Sequence, residues 1–167
     1  MVRLTDFAEI VHEHQGMVFS IAYHFLHDRA LAEEIAQEIF LQLHKHLGSL
    51  ESPEHLLYWL RRSTSNRCID CARHRKLAPQ IGLESVPEPA TVDTPGDPMM
   101  ARRLRQLVAS LPPKQRMVVV LRYQEDLEPE EIARVLNIPL GTVKSQLQRS
   151  LAILREKVAR TMGMVNL

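Results

Sequence analysis

The sequence has few aromatic residues, few glycines and only two cysteines. Aromatic residues make up 5% of the 167 residues and glycine occurs 6 times, which disfavours a β-rich fold. Two cysteines are too few for a disulfide framework. No apolar run approaches the roughly 18 residues that a membrane-spanning helix needs, and the N-terminus lacks the basic-then-apolar pattern of a signal peptide. We therefore expect an all-α protein in the cytoplasm, built from the helix-favouring Leu, Ala, Glu, Arg and Gln.

The motifs of common enzyme classes are also missing. The 8 histidines form no His-Glu-x-x-His pattern, and neither a Gly-rich phosphate loop nor a recognisable nucleophile setting is present. Cys68, Cys71 and His74 are spaced three residues apart on one predicted helix, which allows a metal or redox-sensing role. Packing is the preferred interpretation, because structural zinc normally needs four ligands and both sulfurs fall on an apolar stripe. We expect no enzymatic activity, no cofactor and no metal.

The net charge of +1 conceals an uneven distribution along the chain. Residues 77–100 contain no Lys or Arg, 4 acidic residues and 5 of the 10 prolines, which predicts a flexible linker. Residues 101–167 contain 12 Lys or Arg against 6 Asp or Glu, so this part is basic and suits a nucleic-acid partner.

On both sides of this linker, apolar residues recur at the three-to-four-residue spacing of an α helix. Residues 1–76 predict a compact bundle of about four helices, which includes one over about 30–47 that ends at Gly48 and one over about 54–76 with strongly basic outer faces. Residues 101–167 predict a domain of four helices, with the first over 102–110 and the second over 114–123. We therefore expect two small helical domains that are joined by the linker.

The last two predicted helices have the pattern of a helix-turn-helix. Two apolar stripes are spaced to bury each other, and they comprise Ile132, Val135, Leu136 and Ile138 on one side and Val143, Leu147, Leu151 and Leu154 on the other. Between them, Asn137 tolerates a left-handed backbone and Pro139 cannot lie inside a helix. The second helix presents Lys144, Ser145, Gln148 and Arg149 on its opposite face, and these groups suit phosphates and base edges. A merely solvated helical hairpin is the alternative.

Almost the whole chain resembles a bacterial RNA polymerase sigma factor of the extracytoplasmic-function (ECF) type, within the sigma-70 family. In the C-terminal part the resemblance rests on Leu111-Pro112, Gln115-Arg116, Glu131-Ile132-Ala133 and Gly141-Thr142-Val143-Lys144-Ser145. In the N-terminal part it rests on Ala32-Glu33-Glu34, on Gln37-Glu38-Ile39-Phe40, and on Trp59-Leu60 with Asn66, Asp70 and Arg73.

This resemblance implies a function as a promoter-recognition subunit and assigns roles to residues. The helix-turn-helix would read the upstream minus-35 element through Thr142, Lys144, Ser145, Gln148 and Arg149. The helix before the linker would melt and read the minus-10 element through Trp59, Arg62, Asn66, Arg67, Asp70 and Arg73. Glu34, Gln37, Glu38 and Phe40 would dock on core RNA polymerase. The implied partners are the clamp helices of the β′ subunit, the flap of the β subunit, promoter DNA and an anti-sigma factor.

A dimeric helix-turn-helix regulator that binds an operator is the alternative function. It would use residues 1–76 for dimerisation or sensing, but it gives no reason for the basic, aromatic-containing helix before the linker. The two functions differ in the DNA that the chain would bind and in what it needs for binding. A dimeric regulator protects a palindromic site on its own, whereas a sigma factor binds a promoter tightly only with core polymerase.

Overall fold

The computed structural model describes residues 6–77 and 98–165, with side chains over 6–75 and 98–160. Within these ranges the chain forms seven α helices and no strand, which confirms the expected all-α class. The helices are α1 (Phe7–Leu26), α2 (Arg29–His46), α3 (Pro53–Leu77), α4 (Pro98–Ala109), α5 (Pro113–Tyr123), α6 (Pro129–Leu136) and α7 (Leu140–Val165). We call α1–α3 the N lobe and α4–α7 the C lobe. Most of the predicted linker, residues 78–97, lies outside the described residues.

The N lobe contains three α helices within residues 6–77, together with a single 3-10 turn at Leu47–Ser49. The expected bundle of about four helices was therefore wrong, because α1 continues as one helix through Gly16. A glycine inside a helix costs about 1 kcal/mol relative to alanine. This cost is offset by burial, since Ile10, Val18, Ile21 and Phe25 form one buried stripe that runs across the glycine.

A two-residue turn joins α1 to α2. His27 ends α1 in the left-handed region with φ 51°, and its backbone N–H donates to the Tyr23 carbonyl. Asp28 then caps α2 by accepting a hydrogen bond from the Leu31 backbone N–H at 3.0 Å. The same carboxylate accepts from Arg75 Nη2 at 2.8 Å, so this turn also holds the C-terminal part of α3.

The C lobe contains the predicted helix-turn-helix as α6 and α7. Proline begins both α5 and α6, at positions where the missing N–H is tolerated. The Glu128 backbone N–H donates to Glu131 Oε2 at 3.0 Å, which fixes the start of α6. Asn137 ends α6 in the left-handed region with φ 53°, as its position in the sequence predicts. Ile132 and Val143 are fully buried where the two helices meet.

The two lobes pack directly against each other. Helix α5 contacts α1 and α3, and α6 contacts α3. The buried side chains of both lobes form one continuous apolar cluster. Periodicity in the sequence did not predict this contact, because the residues that make it are distant in sequence.

The Asp28 cap yields a stability prediction. We expect Asp28→Ala to lower the free energy of unfolding by about 1 kcal/mol near neutral pH, and Asp28→Asn to lower it less, because an amide oxygen still accepts the Leu31 hydrogen bond. The Leu31 backbone N–H and Arg75 hold the pKa of Asp28 below its ordinary value of 3.8. The stabilisation is therefore fully present above pH 3.8 and is lost as the pH falls through the lowered pKa. Urea unfolding followed by circular dichroism measures this, and an Asp28→Ala loss that persists undiminished well below the lowered pKa would contradict it.

Candidate nucleic-acid interface

The exposed face of α7 is polar and basic near its N-terminus. Lys144, Ser145, Gln148 and Arg149 are exposed, and Thr142 is half-buried in the first turn. On the opposite face Val143 and Ser150 are fully buried, and Leu147 packs against the core. Residues four apart lie on the same side of a helix, so Lys144 with Gln148 and Ser145 with Arg149 form two neighbouring rows on the exposed side of α7.

The charges on this face are uncompensated within the part of the chain that the structure describes. No carboxylate there forms an ion pair with Lys144 or Arg149, whereas Arg29, Arg67, Arg75 and Arg122 each have an acidic partner. Uncompensated cations beside an amide and a hydroxyl are the groups that bind phosphates and base edges. The face is therefore chemically suited to the major groove, which admits an α helix.

Three of the six α3 residues that the resemblance assigns to the minus-10 element share an exposed face. Asn66, Asp70 and Arg73 are exposed, and their spacing of four and three residues aligns them along the helix. They lie opposite Leu60, Thr64 and Cys68, which are fully buried.

The other three residues of that group have partners inside the protein. Trp59 is partly buried against the core, and its ring centroid lies 5.8 Å from that of His46. Arg62 Nη1 donates to the Tyr58 hydroxyl oxygen at 2.9 Å. Arg67 is paired with Glu38. The structure therefore does not bring all six side chains together on one solvent-exposed surface.

The Arg67–Glu38 pair joins two predicted surfaces that sequence reasoning treated separately. Arg67 Nε donates to Glu38 Oε2 at 2.6 Å and Nη2 donates to Oε1 at 3.3 Å. This hydrogen bond to the carboxylate raises the pKa of Arg67. Arg67 on α3, which the resemblance assigns to DNA, is thus hydrogen-bonded to Glu38 on α2, which it assigns to polymerase.

The remaining predicted polymerase residues lie along α2. Glu34 and Gln37 are exposed, and Phe40 is buried with 8% exposure. Gln37 and Phe40 border an open groove of about 720 Å³ between α1 and α2. The groove has apolar walls that were not predicted from the sequence, and these walls include Phe7, Val11, Phe19 and Leu41. Leu41 is 66% exposed, and its position outside the buried stripe of α2 was the available signal.

The Arg67–Glu38 pair yields a second stability prediction. A double-mutant cycle with Glu38→Gln, Arg67→Gln and the double variant should give a coupling energy of about 0.5 kcal/mol, because both side chains are partly exposed. Their exposed fractions are 37% for Glu38 and 35% for Arg67. The coupling should weaken at about 1 M salt through screening. Urea unfolding measures both quantities, and a coupling of about 2 kcal/mol that resists salt would show that solvent does not screen the pair.

The two cysteines occupy different environments on α3. Cys68 is fully buried, and burial raises the pKa of its thiol to about 12. Cys71 is half-buried and His74 is exposed. Among the described residues, no group of three or more His, Cys, Asp or Glu side chains is placed to hold a metal ion. These surroundings support the packing interpretation for Cys68.

Thiol labelling tests this difference. At about pH 8 a thiol with a pKa near 12 is ionised in only about 1 molecule in 10,000, and the thiolate is the reactive form. We expect a thiol reagent to modify Cys71 in the native chain and both cysteines after denaturation, as read by intact mass. Rapid modification of Cys68 in the folded chain would be inconsistent with its buried environment.

Comparison with known families matches both lobes. Residues 10–78 match the family described as Sigma-70 region 2, and residues 101–154 match the family described as Sigma-70, region 4. The chain is 31% identical to the ECF RNA polymerase sigma factor SigW of Bacillus subtilis, over 91% of this chain and 88% of that protein. It is 32% identical to the RNA polymerase sigma-E factor of Streptomyces coelicolor, over 95% of this chain and 89% of that protein.

Solved structures share the fold. The sigma factor RpoE of Bartonella quintana, solved in complex with the anti-sigma factor NepR, superimposes with a TM-score of 0.74 at 21% identity, over 92% of this chain and 97% of that one. CnrH, solved in complex with the cytosolic domain of CnrY, gives a TM-score of 0.68 at 18% identity, over 95% of this chain and 90% of that one. Within the described residues, no helix of this chain is long and apolar enough to cross a membrane.

Proposed function

The chain belongs to the ECF RNA polymerase sigma factors of the sigma-70 family, and from that premise we propose that it binds core RNA polymerase and selects promoters by contacting DNA at two elements. It would act as a subunit without catalytic activity of its own, because polymerase carries out the chemistry. The observation that carries the proposal is the uncovered polar face of α7, which the fold holds opposite the buried Val143.

The minus-35 element is the proposed ligand of this α7 face. Arg149 and Lys144 can donate to guanine or to phosphate, and Gln148 suits adenine. Thr142 lies in the first turn of α7, where the positive end of the helix dipole favours a phosphate. Ser145 is exposed beside Lys144, so all five assigned residues can approach one groove.

The minus-10 element is the proposed ligand of α3. Asn66, Asp70 and Arg73 are already exposed, whereas Arg62 and Arg67 each have part of their guanidinium bound to Tyr58 or Glu38. An unstacked base costs a few kcal/mol, so contacts with polymerase must contribute to melting. The partly buried Trp59 ring supplies a surface on which a base can stack.

The α1–α2 groove and the adjoining α2 face form the proposed polymerase docking surface. The groove has apolar walls and is bordered by Arg29, Glu33 and Gln37, a combination that suits an amphipathic helix. The clamp helices of the β′ subunit are the proposed occupant, and the flap of the β subunit is the proposed partner of the C lobe. An anti-sigma factor is a further proposed partner, since RpoE of Bartonella quintana, which shares this fold, was solved in complex with one. We place the protein in the cytoplasm, with the promoter and polymerase.

Run-off transcription with purified core polymerase tests the minus-35 assignment. We expect Lys144→Ala and Arg149→Ala each to reduce promoter-specific transcripts about 5- to 100-fold, because a base contact of this kind contributes about 1–3 kcal/mol. Binding to core polymerase should be retained. Arg103→Ala is the matched control, since it removes one exposed positive charge from α4.

Results other than these would contradict either the contact assignment or the proposed function. Unchanged transcripts from both α7 variants would refute the contact assignment. Failure of the native chain to bind core polymerase would refute the proposed function. Protection of a palindrome by the chain alone would instead favour the dimeric regulator.

A further inference from the structure

We propose that Glu38 is a positioning residue for DNA recognition, and that it holds the Arg67 guanidinium so that this group donates to a base edge of the minus-10 element instead of binding a phosphate. The DNA ligand of the pair rests on the proposed function, whereas the pairing itself is a property of the free chain. This role for Glu38 differs from the one that the resemblance implies, which is a contact with core polymerase.

Glu38 occupies one side of the Arg67 guanidinium. Nε donates to Oε2 at 2.6 Å and Nη2 donates to Oε1 at 3.3 Å. A guanidinium carries five N–H groups in a planar fork, and this side-on arrangement uses one from Nε and one from Nη2. The remaining groups include one N–H of Nη1 and one of Nη2 that point in parallel away from the carboxylate. A second bidentate donor pair is therefore left for a ligand.

The unoccupied side of Arg67 is accessible and has polar neighbours. The Arg67 side chain is 35% exposed, and within the described part of the chain no group other than Glu38 accepts a hydrogen bond from it. Asn66 precedes it and Asp70 lies one turn further along α3, and both are exposed. A guanidinium, an amide and a carboxylate are the groups that pair with guanine, adenine and cytosine edges.

The local charge favours a base over a phosphate. Glu38 and Asp70 contribute two negative charges near the single positive charge of Arg67. Besides the hydrogen bond to Glu38, the charge of Asp70 also raises the pKa of Arg67, so this second carboxylate is within electrostatic range. A phosphate that bound Arg67 would compete with Glu38 and would be repelled by Asp70. A base edge is uncharged, and guanine O6 and N7 can accept from the free N–H pair without displacing Glu38.

Arg73 differs from Arg67 in this respect. It is exposed on the same helix, and no carboxylate among the described side chains forms an ion pair with it. An uncompensated guanidinium suits a phosphate, which attracts any cation regardless of base sequence. The two arginines thus have different roles, since Arg73 supplies attraction to the DNA backbone and Arg67 supplies discrimination among bases.

The exposure of the pair explains where Glu38 has its effect. Both side chains are more than a third exposed, so water screens their attraction in the free chain. DNA that covers α3 excludes this water, and the two hydrogen bonds then become stronger because the local dielectric constant falls. An arginine that is already oriented also loses less side-chain freedom on binding. The contribution of Glu38 is therefore larger in the DNA complex than in the free chain.

The minus-10 preferences of the transcribing complex test this role. A promoter that the native chain uses with purified core polymerase is changed one base pair at a time across its minus-10 element, and run-off transcripts from the templates are compared. We expect Glu38→Gln and Arg67→Gln to reduce discrimination about fivefold or more at the same positions, because a bidentate base contact discriminates by at least that factor. The double variant should lose no more than Arg67→Gln, since Glu38 acts through Arg67. Binding of Glu38→Gln to core polymerase should equal that of the native chain.

Two further variants control for charge. Glu156→Gln removes a carboxylate that accepts from Arg160 Nη2 at 2.6 Å on α7, so it makes the same change in net charge away from α3. It should leave the minus-10 preferences as they are in the native chain. Arg73→Gln should weaken binding to all templates alike and reduce the slope of log affinity against log salt by about 1, while the preferences remain.

The orientation of Arg67 can be measured without polymerase or DNA. In the free ¹⁵N-labelled chain, the Nε–H resonance of Arg67 reports its hydrogen bond, and its loss in Arg67→Gln assigns it. We expect Glu38→Gln to shift this resonance and to speed exchange of its proton with water, whereas Glu156→Gln should change neither. An identical resonance and exchange rate in the native chain and in Glu38→Gln would overturn the positioning role.

The outcomes separate this proposal from the proposed function. Weaker binding of Glu38→Gln to core polymerase, with unchanged minus-10 preferences, would overturn the proposal in favour of a direct polymerase contact. Loss of preference at different positions in Glu38→Gln and Arg67→Gln would also overturn it. Absence of transcripts from the native chain would count against the proposed function, and the Arg67 resonance would still decide whether Glu38 positions this side chain.

Discussion

Packing of α3 against helices from both lobes is the contact on which the rest of the structure depends. Helix α3 contacts α1 and α2 in the N lobe and α5 and α6 in the C lobe, and Leu60 and Cys68 on it are fully buried. Full burial of an apolar side chain of leucine size stabilises a fold by about 1.5–3 kcal/mol. Because these faces of α3 are buried, the middle of the helix is exposed on the opposite side, which carries Asn66, Asp70 and Arg73. The core therefore determines the orientation of the surface that we propose to bind the minus-10 element.

The Arg67–Glu38 pair shows that surfaces assigned to different partners are physically adjacent. Its two hydrogen bonds connect the outer side of α2 with α3. Because both charges are partly exposed, solvent screens the pair and its contribution to stability is small. A partner that binds one of the two charges leaves the other without its counter-ion, so the binding that we propose for α2 and the binding that we propose for α3 would influence each other through this pair.

The local parts of the fold could be predicted from the sequence, and the non-local parts could not. The helix-turn-helix is fixed by residues close in sequence: the stripe around Ile132 and the left-handed position at Asn137. The number of helices in the N lobe was overestimated, because the buried stripe of α1 runs through Gly16 without a break. Arg116 was visible as part of a family motif, yet its contact with Phe25 spans 91 positions, a distance at which periodicity carries no information. The groove wall around Leu41 was also missed, although the position of this exposed leucine outside the buried stripe of α2 was a signal in the sequence.

The short turn at His27 and Asp28 has a consequence for how the chain folds. Helices joined by two residues make contacts that are near in sequence, and such contacts form quickly because little loop-closure entropy is lost. The N lobe also leaves the ribosome first, and domains generally fold as units during synthesis. We therefore expect α1 and α2 to associate while the C-terminal half of the chain is still being translated. The joining of α5 and α6 to this preformed surface then follows once the C lobe has been translated.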